Sequence, residues 1–169
     1  MEIFKNQEVI SFYEKGQSGK KICDDKFFNT FFKMIAEIDL KDASLILEVG
    51  DSYKLTLESN TSSSLKIIFE LWNTQINIYL GKEEVHYADD ADVVDQKDVD
   101  ELNANMSLLL NSKIVETLSY KHDVLKQFKY QFFDKNSKQS EFSNGGFSLG
   151  KRDKVINEYS PWRKEPGIL

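Results

Sequence analysis

Sulfur, histidine and backbone-breaking residues are scarce in this chain of 169 residues, which holds one Cys, two His, two Pro and eight Gly. A lone thiol, Cys23, has no partner for an intramolecular disulfide, and no cluster of thiolates is present to hold zinc or an iron–sulfur group. Two histidines are too few for a His-rich metal centre, and the HExxH pattern is absent. Scarce Gly and Pro exclude collagen-like and mucin-like chains, while 21 aromatic residues (12 Phe, 7 Tyr, 2 Trp) exclude a disordered one, because rings of that number require burial. No apolar run approaches the length of a membrane span. The first residues, MEIFKNQEVISFYEKG, mix acids and lysines among the apolar positions, unlike a secretory leader, so a cytoplasmic, reducing location is the expectation. The nucleophile-elbow pattern GxSxG is missing, and GQSGKK at 16–21 lacks the glycine spacing of a phosphate loop and reads as a turn. No cofactor, no metal and no enzymatic activity are therefore expected.

What is present describes an ordinary globular protein, 40% hydrophobic and 30% charged. A chain of this length buries roughly 70% of the surface its unfolded form exposes, and one domain over 1–169 is the natural count. Residues 24–38 place Phe27, Phe28, Phe31, Phe32, Ile35 and Ile38 at helical spacing behind Asp24 and Asp25, which predicts an amphipathic helix covering a sheet. From 44 to 81 the period drops to two. SLILEV, YKLTLES, LKIIFELW and QINIYL each alternate apolar with polar residues, and short polar breaks separate them. Four such segments predict an antiparallel β-meander with one apolar face, and Trp72 and Tyr79 fall on the other. Val99, Leu102, Met106, Leu109 and Leu110 predict a second helix over 98–112. Residues 113–134 read as a hairpin turning at Lys121-His122-Asp123 and extending the meander, and 8–13 as a further strand. The polar, turn-rich segment from 135 onward reads as an irregular tail whose aromatics pack on the body. The expected fold class is α+β: an antiparallel meander sheet extended by a C-terminal hairpin, with two amphipathic helices packed on it.

The net charge of −6 is unevenly distributed. Residues 1–88 balance to −4 and 102–169 to +4, while the thirteen residues 89–101 hold seven acids against Lys97 alone, a balance of −6. Such a block repels phosphate backbones and disfavours direct nucleic-acid binding. Three readings compete for it. It is a solvated loop feeding a helix N-terminus, where the helix dipole favours carboxylates. Alternatively it is a calcium loop in the register Asp90, Asp92, Asp98, Glu101, although Val94 and Asp95 occupy the fifth ligand position and the obligatory glycine. The third reading is a surface for a basic protein partner. His86, between acids in EEVHYADD, reads as a surface residue.

The segments FKYQFFD at 128–134, SNGGF at 143–147 and NEYSPWRKEP at 157–166 resemble the C-terminal parts of small bacterial immunity proteins encoded beside polymorphic or contact-dependent toxins. The resemblance covers about a third of the chain and implies a cytoplasmic, non-enzymatic protein that binds one toxin domain and blocks its active site. With the acidic block, the expected partner is a basic protein toxin such as a cationic nuclease. Asp89, Asp90, Asp92, Asp95 and Asp98 would meet its cations, with Tyr87 or Trp72 as a packing anchor. The alternatives are a small-ligand-binding α+β domain with a cavity under the Phe-rich helix, and a subunit of a larger assembly.

Overall fold

The computed structural model describes residues 1–16, 35, 38, 43–50, 52–72, 75–92, 96–134, 137–145 and 152–162. The fold is mostly antiparallel β-sheet, in two sheets, with few helices. The chain divides into two compact units, Met1–Ser107 and Leu108–Leu169.

The first unit carries a six-stranded sheet whose strands follow one another in chain order: β1 (Glu2–Lys5), β2 (Ala43–Val49), β3 (Tyr53–Ser59), β4 (Ile67–Trp72), β5 (Gln75–Leu80) and β6 (Val85–Asp92). The four segments that alternate with period two are the four central strands, all paired antiparallel. Register explains the alternation. Leu47 faces Leu55, Leu55 faces Phe69 and Phe69 faces Ile78, while one pleat along Leu45, Leu57, Ile67 and Leu80 form a second row. All eight are buried. Each such side chain contributes about 1.5–3 kcal/mol by leaving water, which makes these rows the energetic centre of the unit. The opposite face is not wholly polar, since Ile68 and Thr56, neighbours across β3 and β4, are also buried.

Residues 8–13, expected as a strand, lie in helix α1 (Gln7–Gly16). The edge strand is β1, four residues long, ahead of it. Asn6 makes this reversal. It adopts a left-handed φ of 48°, its side-chain oxygen accepts from Leu45 N at 2.9 Å, and its own N–H donates to the Leu45 carbonyl at 2.7 Å. Its carbonyl starts the helix by accepting from Val9 N at 3.0 Å, while Glu8 reaches back to Lys5 N at 3.1 Å in the manner of a capping box. Buried Val9, with the Phe12 ring tilted against that of Phe4 at 4.7 Å, then satisfies an i, i+3 spacing instead of an alternation. Of the Phe-rich segment 24–38, Ile35 and Ile38 are described and buried; Phe27, Phe28, Phe31 and Phe32 lie outside the described residues.

Helix α2 (Gln96–Asn111) matches the second predicted helix within two residues and buries Met106, Leu109 and Leu110.

The second unit contains β7 (Lys113–Lys121), β8 (Val124–Asp134), β9 (Ser137–Gly145) and β10 (Asp153–Tyr159), in the order β10-β7-β8-β9. Strands β7 and β8 pair as a hairpin over 113–134, but this hairpin does not extend the meander: it is the centre of a separate four-stranded sheet. Its two-residue turn places His122 and Asp123 at φ of 52° and 60°, the type I′ geometry that matches strand twist. The expected irregular tail is two strands. Phe142 on β9 lands opposite Tyr130 with its ring 5.4 Å from that of Phe128, so pairing along the eleven-residue β8 overrides a polar, glycine-containing sequence.

Candidate interaction surface

The acidic block divides between a strand and a helix among the described residues. Tyr87, Asp89, Asp90 and Asp92 all lie on β6, at the edge of the first sheet, whose outer side has no strand neighbour among the described residues. Asp98 lies on the third residue of α2; Asp95 lies outside the described residues. Trp72 closes β4 and pairs with Gln75, which pairs with Asp92, so Trp72 and Asp92 share one row at one end of the sheet. Two strand spacings, about 10 Å, separate their backbones. The structure thus brings five of the seven expected residues to one sheet, four of them on a single edge.

That edge is irregular. Val85 pairs with Leu80 and His86 with Tyr79, but Ala88 pairs with Ile78 and Ala91 with Ile76. Tyr87 is the extra residue of a first bulge, and Asp89 and Asp90 fall in a second. Bulges and charged residues are two devices by which an edge strand avoids pairing with another chain, and β6 carries both. The secondary structure does not match a calcium loop. Asp90 and Asp92 belong to an extended strand and Asp98 and Glu101 to a helix, where a calcium loop would hold all four in one continuous turn. Among the described residues no three His, Cys, Asp or Glu side chains are arranged to hold a metal ion. Lys97, Asp100 and Glu101 on the first turns of α2 are exposed, and the acids there complement the positive end of the helix.

The structure also shows a polar cluster that sequence reasoning missed. Glu116, on β7 between Ile114 and Leu118, is 1% exposed. Its carboxylate accepts from the Tyr130 hydroxyl at 2.8 Å, from the Tyr159 hydroxyl at 2.9 Å and from Asn157 Nδ2 at 2.7 Å. The register creates the cluster, since Glu116 faces Tyr130 on β8 and Asn157 on β10. Three neutral donors, and no cation among the described residues, hold this buried carboxylate. Burial first, and then the adjacent carboxylate, push the Tyr159 hydroxyl far above its ordinary value, so it remains a donor across the physiological range. With the carboxylate closed to water, the cluster fastens three strands together. The available signal was a glutamate in an apolar slot of IVETL, which requires donors from neighbouring strands.

On the opposite face of the same sheet, Glu141 takes Lys138 at 2.6 Å and Lys129 at 3.2 Å, and accepts from Gln131 at 3.1 Å. The hydrogen bonds from Lys138 and then Lys129 hold its carboxyl down to about 2. These are exposed, solvated pairs of small energetic weight.

No protein-family model matches the sequence, and comparison with curated proteins and with solved structures finds no similar chain.

Proposed function

We propose that this chain is a non-enzymatic binding protein that engages a basic protein partner through β6 and the first turns of α2, in the manner of an immunity protein blocking a toxin domain. The observation that supports this reading is the concentration of Asp89, Asp90 and Asp92 on one outer strand, followed at once by Asp98, Asp100 and Glu101 on a helix. A positive cleft that holds substrate phosphates would be attracted to such a strip, and the attraction accelerates encounter more than it deepens affinity. In this reading Trp72, the last residue of β4, is the candidate aromatic anchor. Tight occupancy of the cleft by carboxylates would exclude substrate without any chemistry on the inhibitor's side. A cytoplasmic location follows from this reading.

The test is co-expression with the product of the adjacent gene, capture at several salt concentrations, and association kinetics of the purified pair. Changing Asp89, Asp90, Asp92, Asp95 and Asp98 together to Asn should slow association and flatten its salt dependence, with a smaller change in dissociation. If the carboxylates only guard the sheet edge, the same variant will self-associate while binding a partner at the original rate, and the proposal fails.

A further inference from the structure

The two sheets have four outer edges, and three are protected. Strand β1 is only four residues long, β6 carries two register shifts and three aspartates, and β9 is broken against β8 by a shift at Phe132/Phe133 and is polar along most of its length. Strand β10 differs. Its seven residues pair with β7 in one unbroken register, and its outer side has no strand neighbour among the described residues. It also exposes an apolar side chain on each face, with Val155 45% and Ile156 63% accessible. A regular, unbulged edge that exposes apolar side chains among its charges can recruit another strand. This edge is further held in place, because Asn157 and Tyr159 are tied to buried Glu116. Little backbone ordering remains to oppose docking.

We propose that β10 is a dimerisation edge, at which a second copy of this chain adds its own β10 antiparallel to the first and joins two four-stranded sheets into one of eight. The sequence of the strand selects this occupant. In a two-fold antiparallel pair the facing residues must point to the same side of the sheet, so the axis passes through a residue and not between two. An axis at Ile156, the midpoint of Asp153–Tyr159, pairs all seven residues. It sets Ile156 against its own copy and Val155 against Asn157. It also sets Lys154 against Glu158, twice, on the face that carries Ile156. Both are exposed; Lys154 has no ion-pair partner among the described residues, and Glu158 already meets Lys113 at 2.7 Å at the surface, leaving a carboxylate that two lysines can share. Opposite charges facing each other across strands are favourable and like charges unfavourable, so the strand is complementary to itself in this register. This inference does not depend on the role of β6.

Sedimentation velocity of the full chain over a concentration series tests it. The expected result is a reversible monomer–dimer equilibrium in the micromolar range, as suits a small interface. Ile156→Lys places two ammonium groups at the axis and should abolish the dimer. Lys154→Glu and Glu158→Lys each put like charges opposite one another and should weaken it about tenfold. The double exchange Lys154→Glu/Glu158→Lys restores attraction and should restore the dimer. An equimolar mixture of the two single variants should form heterodimers, which also proves that both are folded. A protein that stays monomeric at every concentration, or a dimer indifferent to these changes, overturns the proposal.

Discussion

Replacing Glu116 by Leu keeps the volume of a side chain that is 1% exposed while removing the acceptor of three hydrogen bonds. The cost divides unevenly among the donors. Tyr130 is wholly buried, so its hydroxyl loses the Glu116 bond where water cannot replace it, at about 1–3 kcal/mol. Asn157 and Tyr159 are only half-buried and can turn to solvent, each losing about 1 kcal/mol. Against this stands the relief of no longer burying a carboxylate, and the net expectation is a loss of about 2–3 kcal/mol. Adding Tyr130→Phe should not deepen the loss. It removes the hydroxyl whose bond to Glu116 is lost, so the double variant Glu116→Leu/Tyr130→Phe should regain about 1–2 kcal/mol, a coupling well beyond additivity for independent sites. Urea denaturation followed by far-ultraviolet circular dichroism reads both effects, with the midpoint of the single variant about 1 M lower. A neutral Glu116→Leu, or a double variant destabilised by the sum of the two single losses, would refute the reasoning.

Two further outcomes follow from local geometry. The turn residues His122 and Asp123 both adopt left-handed φ, so exchanging them for Asn and Gly, the pair best suited to a type I′ turn, should stabilise the protein by about 1 kcal/mol and raise its melting temperature by about 2–4 °C in calorimetry. Glu141, held down to about 2 by Lys138 and then Lys129, contributes a stabilisation that is complete above its ordinary value of 4.5 and is lost as the pH falls from there through 2. Carboxyl-detected NMR titration should find its pKa moved back toward 4.5 in Lys138→Gln, and a value that stays put would mean that the hydrogen bond from Lys138 is not the main cause.

The central meander was legible because β2 to β5 keep apolar residues at every second position, with Leu45, Leu47, Leu55 and Leu57 on one side, even where Ile68 and Thr56 are buried on the other. Strand β6 was hidden by its own bulges. Each adds a residue, so the positions that continue the apolar rows, Val85, Ala88 and Ala91, recur every three residues and match neither the strand nor the helix period. The acidic block was visible from charge alone, but its division between strand and helix was not. Strands β9 and β10 escaped notice for a different reason. Their stability comes from long partners, β8 and β7, and their own residues are largely polar. The Glu116 cluster joins residues 14, 41 and 43 positions apart, and only the strand register brings them together.

Nearly every strand pairing among the described residues joins neighbours in the chain; the exception is β10, which returns past β8 and β9 to pair with β7. Hairpins such as β7–β8 close short loops and form early, whereas β10 must find its site across a much larger one. Until it does, Glu116 has only Tyr130 to share its charge, and the outer side of β7 stays open. Docking of β10 therefore covers an edge and supplies two missing donors in the same event, so the second sheet should complete itself late and in a single step. Weakening Asn157 or Tyr159 should then accelerate unfolding while leaving the folding rate nearly unchanged.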